Sequence, residues 1–234
     1  MAEQLLRQGH HLVTIARRPN PALTLLAADL GVPLEQWQHD LSDPQAAAMA
    51  VRKFLAAQAP SSIAEVTLIN NAGVIPPIAP LAHTDWCALS NGLRVGLEAP
   101  MLLTSAFLQS TETWTIARKV LNISSGLGRR AIASQATYCA AKAGMDIFSA
   151  SVALDEANKP NGARICSLAP GVIDTDMQVQ LRSADANAFP DVDRFAQLHT
   201  GGNLTSPQDA AARVLAWLQR TDFGASVIAD VRNA

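Results

Sequence analysis

Residues 119–142, KVLNISSGLGRRAIASQATYCAAK, lead from an apolar strand through a turn with two serines into a helix. The stretch 119–123 predicts a buried strand, and Ser125 follows its end. Tyr138 and Lys142 are four positions apart, so their side chains leave the same face of the helix. Because open α/β sheets keep their active sites at the carboxyl ends of their strands, we expect these three side chains to converge there.

The hydroxyl, the phenol and the ammonium are together suited to proton transfer at a carbonyl group. A free tyrosine has a pKa of about 10, and a neighbouring ammonium is expected to lower that pKa towards neutrality. Ser125 can donate a hydrogen bond to a carbonyl oxygen that gains negative charge. The alternative is that Tyr138 and Lys142 belong to an ordinary amphipathic helix, with Ser125 as its cap. Since Tyr138 is the only tyrosine and the chain has four lysines, such a pair seldom arises by chance.

Strand and helix signals alternate along the rest of the chain. A cap residue followed by proline predicts helix starts at Ser42-Asp43-Pro44 and at Ser206-Pro207. We expect strands over 11–16, 34–39, 65–69, 119–123, 164–168 and 225–230, and helices over 21–30, 43–58, 84–108, 135–158 and from 206 onward. This alternation predicts a single α/β domain over 1–234 with a doubly wound, Rossmann-like parallel sheet. Residues 177–202 are expected to form a mobile lid over the substrate.

Composition and charge argue against several classes of partner. A net charge of −2 and a pI of about 6.2 indicate neither a nucleic-acid nor an anionic-membrane partner. No apolar run has the length of a membrane span, and the N-terminus lacks the pattern of a signal peptide. Cys87, Cys139 and Cys166 are scattered, which predicts reduced thiols in a cytoplasmic protein. The histidines lack metal-ligand spacing, so no metal site is expected.

Three motifs follow one another in a fixed order. Asn70-Asn71-Ala72-Gly73 comes after the strand at 65–69, Ser125 precedes the Tyr138–Lys142 pair, and Pro170-Gly171-Val172-Ile173-Asp174-Thr175 comes after the strand at 164–168. In this order, over nearly the whole chain, the motifs resemble those of the short-chain dehydrogenase/reductase family. The resemblance implies hydride transfer between a nicotinamide cofactor and a carbonyl or alcohol. Ser125 would polarise the carbonyl, Tyr138 would protonate its oxygen, and Lys142 would tune Tyr138.

The resemblance also implies a set of cofactor contacts. Arg17 and Arg18 stand where an acidic residue would bind the ribose of NAD, so we expect NADP, with NAD as the weaker alternative. The other contacts implied are Asp40 and Leu41 at the adenine, Asn71, Ala72 and Gly73 along the cofactor, and Tyr138, Lys142, Pro170, Gly171, Val172 and Thr175 around the nicotinamide. Simpler interpretations stay open: a solvated turn for the arginines, a turn residue for Asp40 and a helix cap for Thr175.

The chain departs from the family at its start. The family opens with a strand and a glycine-rich turn that receives the cofactor pyrophosphate at a helix N-terminus. Residues 1–9 instead resemble the second half of the first helix, so roughly 20 residues of the usual unit are missing. Met1 is an internal methionine of a longer protein, or the protein has lost the segment together with cofactor binding, or the segment was left out deliberately. We favour the first explanation, because every later motif is suited to catalysis.

A second departure lies in the helix at 84–108. Many family members carry an asparagine there that helps to hold a water in the proton relay. Gly96 occupies that place in this chain. Asn91 is five residues earlier and can replace it only if the helix is bulged, so the relay would otherwise use backbone carbonyls or Glu98.

Substrate and assembly are predicted only in outline. Met177, Leu181 and Phe189 in the lid segment indicate an apolar pocket for a ketone, a diketone or a pterin-like carbonyl, and the chain resembles the sepiapterin and benzil reductase-like branch. Arg129 and Arg130 either select a carboxylate or lie in a solvated loop. By resemblance, the helices at 84–108 and 135–158 would join subunits in a homodimer or homotetramer. The expected function is an NADP(H)-dependent carbonyl reductase, and the alternative is a cofactor-free, non-catalytic binding or scaffold subunit.

Overall fold

Strands and helices alternate in the computed structural model, which describes residues 1–233. The strands are β1 (Leu12–Ala16), β2 (Leu34–Gln38), β3 (Glu65–Asn70), β4 (Ala117–Ile123), β5 (Arg164–Ala169) and β6 (Ile228–Asp230). The helices are α1 (Ala2–Arg7), α2 (Pro21–Leu30), α3 (Pro44–Ala56), α4 (Trp86–Leu93), α5 (Ala99–Thr111), α6 (Ala136–Ala157), α7 (Asp176–Arg182), α8 (Val192–Thr200) and α9 (Pro207–Leu218). The predicted order of elements is confirmed, with bounds shifted by a few residues.

All strand pairs are parallel, as predicted, but the strands form two sheets. β1 pairs with β2, and the second sheet has the order β3-β4-β5-β6. Within residues 1–233, β1 and β3 therefore each have one edge without a strand partner. The break falls where the family's first strand was expected, at the centre of the strand order.

Side chains next to this break are less buried than those in the continuous part of the sheet. Residues 165–169 of β5 are buried, as a parallel strand covered by helices on both faces must be. Residues 12–15 of β1 and 66–69 of β3 are only half-buried. Even so, Ile15 and Val66 pack against the same hydrophobic core. The two sheets therefore form one domain through shared packing, although no ladder joins them in the described part of the chain.

Local sequence explains where the helices begin and end. The Asn20 side chain accepts a hydrogen bond from the Ala22 amide at 3.0 Å, and Pro21 occupies the first turn of α2. Gly31 ends this helix in a left-handed conformation with φ of 65°, which a glycine adopts without steric strain. Ser206 caps α9 by accepting from the Asp209 amide at 3.1 Å. These predicted helix ends are confirmed.

The helix predicted over 84–108 is interrupted by a π turn, Arg94–Glu98, between α4 and α5. The Ala99 amide donates to the Arg94 carbonyl, five residues back, in place of the usual bond four residues back. Pro100 has no amide hydrogen to donate to Gly96, which removes one α-helical bond at this point. The sequence prediction of one regular helix was wrong here because it ignored the effect of this proline.

A polar network also joins the strand ends to the helices. The buried Asn70 side chain donates to Asn122 Oδ1 at 2.7 Å and to Thr104 Oγ1 at 3.1 Å. Asn122 in turn donates to Ser149 Oγ of α6 at 2.8 Å. Because buried polar groups are costly unless paired, these bonds fix β3 and β4 relative to α5 and α6. No helix within residues 1–233 is long and apolar enough to cross a membrane.

Candidate active site

Ser125, Tyr138 and Lys142 come together at the carboxyl end of β4. Ser125 begins the short 3-10 turn Gly126–Gly128 directly after β4, and its hydroxyl oxygen accepts from the Leu127 amide at 3.2 Å. Tyr138 and Lys142 lie in the first turns of α6, which packs against that turn. The predicted convergence of the three side chains is therefore present.

Lys142 links the helix to the strand. Its Nζ donates a hydrogen bond to the Ile123 carbonyl at 2.7 Å and lies 5.9 Å from the centroid of the Tyr138 ring. Burial lowers the pKa of Lys142 to about 8, and the Asp146 carboxylate opposes this shift. A lysine with such a pKa exchanges its proton near neutral pH, which suits a group that resupplies protons to a catalytic acid.

The pKa of Tyr138 is not lowered as expected. Burial raises the pKa of the phenol above its ordinary value of 10.0, and the nearby Ser125 hydroxyl offsets only part of the shift. Lys142 Nζ donates to the strand carbonyl and lies 5.9 Å from the ring centroid, and its charge does not outweigh the effect of burial on this pKa. Tyr138 is therefore a neutral phenol at pH 7, the form that donates a proton.

Arg129 lies in an exposed loop, as one of the two interpretations of the sequence had it, and its guanidinium also makes hydrogen bonds to α6 and β6. Its Nε donates to Asp146 Oδ2 at 3.0 Å, and its Nη2 donates to the Ala229 carbonyl of β6 at 2.9 Å. Asp146 also accepts a hydrogen bond of 2.6 Å from Ser167 Oγ in β5. The guanidinium of Arg129 is thus paired with Asp146, although the residue itself, like Arg130, is exposed.

The residues predicted to bind the adenosine end lie after β1 and β2. Arg17 and Arg18 follow β1 and are exposed, and Asp40 follows β2 beside the buried Leu41. Hydrogen bonds from Ser42 hold the pKa of Asp40 below its ordinary value, and the charge of Arg17 adds to the effect. Arg17 and Asp40 are thus neighbours at one edge of the sheet, with the arginine open to solvent.

The residues predicted to line the cofactor follow β3, and residues predicted to surround the nicotinamide follow β5. Asn71, Ala72 and Gly73 are exposed at the end of β3, and an added Cβ at Gly73 would lie 3.9 Å from Lys142 Nζ. Pro170, Gly171, Val172 and Thr175 follow β5. Gly171 has φ of 85°, and Thr175 stands at the start of α7 without a side-chain cap bond. The capping interpretation of Thr175 therefore gains no support.

These groups fit a nicotinamide dinucleotide at its two ends. Two polar atoms, Ser124 Oγ beside Ser125 and Gln135 Oε1 three residues before Tyr138, are buried without a hydrogen-bond partner in residues 1–233. Buried polar atoms in this state favour a ligand that supplies the missing partners. No glycine-rich turn at a helix N-terminus is present in the described part of the chain to receive a pyrophosphate. Unpaired polar atoms beside Ser125 and Tyr138 thus favour a ligand at this end, whereas the described residues form no turn for the pyrophosphate.

The π turn does not supply the asparagine that the sequence lacks. Asn91 remains exposed on α4, ahead of the turn. Gly96 is buried, and an added Cβ there would lie 3.0 Å from Ala141 Cβ of α6. Gly96 thus permits close packing of the π turn against the helix that carries Tyr138 and Lys142.

The segment predicted as a lid contains α7 and α8 and has a small core of its own. Leu181, Phe189 and Phe195 are buried together, packed by residues from the loops that flank the catalytic groups, including Ile75 and Ile132. The Ser134 hydroxyl, four residues before Tyr138, donates a short hydrogen bond to the Ala188 carbonyl. Leu181 and Phe189 therefore hold the segment together, whereas the sequence placed them at the substrate.

Sequence analysis missed Asp146 and its partner Ser167. Asp146 lies four residues after Lys142, the same interval that identified the Tyr138–Lys142 pair. Its place on that helix face could therefore have been predicted from the sequence. Its pairing with Arg129 and Ser167 joins separate elements and had no local signal. No group of three or more histidine, cysteine or acidic residues in 1–233 is arranged to hold a metal ion.

Comparison with known proteins agrees with this arrangement. The family model described as short chain dehydrogenase matches residues 1–186. Benzil reductase ((S)-benzoin forming) of Bacillus cereus is 33% identical over 223 residues, 95% of this chain and 90% of the relative. Sepiapterin reductase of Rattus norvegicus is 29% identical over 227 residues, 95% of this chain and 79% of the relative. A crystal structure of a short-chain dehydrogenase/reductase from Burkholderia vietnamiensis, 32% identical, covers 100% of this chain and 91% of its own with a TM-score of 0.62. The chain belongs to the short-chain dehydrogenase/reductase family.

Proposed function

We propose that this protein is an NADP(H)-dependent carbonyl reductase that acts on a ketone or diketone. One observation carries the proposal: Ser125, the neutral phenol of Tyr138 and the buried ammonium of Lys142 meet at the end of β4. The named activities of the relatives from Bacillus cereus and Rattus norvegicus support a carbonyl substrate of this kind.

The roles of the three side chains follow from their protonation states. Ser125 donates a hydrogen bond to the substrate oxygen and stabilises the negative charge that develops there. Tyr138 gives its proton to that oxygen, because it is protonated at neutral pH. Lys142 titrates near pH 8 and restores the proton to Tyr138. A bound nicotinamide cofactor supplies the hydride for the carbonyl carbon.

The preference for NADP over NAD rests on charge. Arg17 and Arg18 are exposed after β1, and a guanidinium there can pair with a 2′-phosphate. Asp40 lies near Arg17 but already accepts from the Ser42 amide at 2.9 Å. We therefore expect Asp40 and Leu41 to contact the adenine and Arg17 to contact the phosphate. Asn71, Ala72, Gly73, Pro170, Gly171, Val172 and Thr175 would enclose the nicotinamide end.

The test starts with binding. NADPH is titrated into the protein and followed by calorimetry, with NADH as the comparison for the 2′-phosphate. Turnover is then measured as NADPH oxidation in the presence of benzil. Tyr138→Phe should abolish reduction without changing the melting temperature, because it removes only the transferred proton. Cys139→Ala, the next residue on the same helix, is the matched control and should keep activity. Unchanged turnover in the Tyr138→Phe protein would exclude this mechanism.

The break between β1 and β3 favours a second candidate, a cofactor-free binding or scaffold subunit. In residues 1–233 the sheet is divided, and no glycine-rich turn precedes a helix to receive a pyrophosphate. The titration separates the two functions, since a scaffold binds neither nucleotide even at millimolar concentration. A protein that binds NADPH and oxidises it with benzil is the reductase.

Three further features belong to this proposal. We infer that residues 177–202 act as the substrate lid, because their core joins the loops beside Tyr138. We infer a homodimer or homotetramer, because α4 and α6 expose Trp86, Ile147 and Leu154 to solvent at 85%, 68% and 71%. Sedimentation measures the oligomeric state of the protein directly. A cytoplasmic location agrees with three free cysteines in the described residues, one of them exposed.

A further inference from the structure

We propose that Asp146 is a positioning residue for this reaction: its carboxylate sustains the charge of Lys142 and holds the turn that carries Ser125 against α6. The kinetic part rests on the proposed function. The electrostatic part concerns Lys142 itself and is testable without turnover.

The Asp146 carboxylate is buried and held at both oxygens. Its side chain is 5% exposed. Ser167 Oγ donates to one oxygen at 2.6 Å and Arg129 Nε donates to the other at 3.0 Å. These two hydrogen bonds fix the orientation of the carboxylate. Asp146 is therefore a negative charge of fixed position inside the domain.

Lys142 lies one helical turn before Asp146 on the same face of α6. Both side chains are buried, so little solvent screens the two charges from each other. Burial lowers the pKa of Lys142 to about 8 even though Asp146 opposes the shift. Without the carboxylate, Lys142 would lose its proton at a still lower pH, and the supply of protons to Tyr138 would fall.

Arg129 extends this arrangement to the Ser125 turn. It follows the turn Gly126–Gly128 directly, and it is bound both to Asp146 in α6 and to the Ala229 carbonyl at the end of β6. These contacts tie the residue after the turn to α6 and to β6. The distance between Ser125 and Tyr138 is therefore set in part by Asp146.

Other charged and titratable groups stand on the elements around α6, namely Cys87 on α4, Arg94 and Glu98 in the π turn, Arg164 and Cys166 on β5 and Asp230 on β6. Among these, Asp230 is paired with Arg232, with 2.6 Å between the carboxylate and the guanidinium. Burial raises the pKa of Cys166 to about 11, so this thiol is uncharged at neutral pH. Asp146 is the charge that acts on Lys142, with Arg129 as its counter-ion.

The experiment measures the pKa of Lys142 directly. The chain has four lysines, so the ε-carbon signals of protein labelled with ¹³C-lysine are few enough to follow by NMR, and Lys142→Met assigns the signal of interest. Asp146→Asn should lower the pKa of Lys142 by about one unit, the effect of removing a nearby opposite charge. Arg129→Gln should raise it, because the carboxylate then loses its counter-ion. The two variants should shift the pKa of Lys142 in opposite directions, so either one alone tests the proposal if the other folds poorly.

Glu156 provides the matched control. It is a buried carboxylate on the same helix and lies 2.8 Å from Lys159 Nζ. Glu156→Gln should lower the pKa of Lys159 and leave the pKa of Lys142 unchanged. Asp146→Asn should lower the pKa of Lys142 and leave the pKa of Lys159 unchanged. An unchanged Lys142 in Asp146→Asn, or an equal shift in Glu156→Gln, would overturn the proposal.

Kinetics then test the consequence for the reaction. The alkaline limb of the kcat profile for benzil reduction should move to lower pH in Asp146→Asn and stay in place in Glu156→Gln. If the limb stays in place while the NMR shift is present, the coupling to catalysis is refuted. If the wild-type protein reduces no carbonyl compound, the proposed function fails, and the NMR titration still decides whether Asp146 controls Lys142.

Discussion

Gly128 offers a sharp test of how closely the Ser125 turn packs on α6. A Cβ at this position would lie 2.9 Å from the carbonyl carbon and oxygen of Lys142 and 3.1 Å from the Ala143 nitrogen. All three are backbone atoms of a helix, so none of them can rotate away. Gly128 is not among the glycines with positive φ, so its backbone conformation is open to other residues. Gly128→Ala therefore changes the separation of turn and helix without imposing backbone strain.

The size of the effect follows from these distances. Ordinary contact of a Cβ begins at 3.4 Å, so the turn must retreat by about half an ångström. Overpacking of this kind costs about 1–3 kcal/mol of unfolding free energy. A misplacement of about 1 Å costs on the order of 100-fold in rate, so half of that displacement predicts a loss in kcat of about tenfold.

Gly126→Ala is the matched control in the same turn. An added Cβ there meets only Arg232 Nη2 at 3.9 Å, which is ordinary contact. Thermal unfolding and the kcat of benzil reduction are measured for both variants. We expect Gly126→Ala to match the wild-type protein in both assays. If Gly128→Ala retains wild-type kcat and melting temperature, close packing of the turn does not hold Ser125 in place.

Two further predictions concern titration. Because Tyr138 is the only tyrosine, the ultraviolet absorbance of phenolate reports the titration of this one group. The midpoint of that titration should lie above pH 10 in the folded protein and fall on unfolding. A midpoint below pH 10 would contradict the role of Tyr138 as a neutral acid. Glu156 is ion-paired to Arg118 at 3.3 Å with both side chains buried, so Glu156→Gln should lower the unfolding free energy at pH 7 by about 3 kcal/mol. The pKa of Glu156 lies below 4.5 in the folded state, so its stabilisation is complete above that pH and is lost as the pH falls through the lower value. Urea denaturation at several pH values should show the difference between wild-type and Glu156→Gln shrinking in acid, and a difference independent of pH would exclude this linkage.

Much of the fold was predictable because its signals are local. The apolar stretch of β5 and the Ser206-Pro207 cap predict a strand and a helix start from neighbours in the chain. The alternation of such elements then predicts a parallel sheet, since parallel strands need helical crossovers. The prediction failed at the π turn, where a single proline outweighs the helical pattern on either side.

The convergence of Ser125, Tyr138 and Lys142 was predictable for a related reason. Ser125 follows a strand end, and Tyr138 and Lys142 share a helix face, so adjacency in sequence is enough to place them together. The protonation states were not predictable in the same way. Burial decides the direction of the Tyr138 pKa, and burial depends on every element packed around the phenol.

The sequence by itself determined the element order, the parallel sheet and the three side chains at its edge, because period and spacing act over a few residues. Only the tertiary structure decided that Leu181 and Phe189 form the core of the lid segment, and that Arg129 pairs with Asp146. Each of these depends on groups far apart in the chain. Such pairings are selected by the burial of apolar surface and the pairing of buried charge over the whole domain, and no local pattern encodes either.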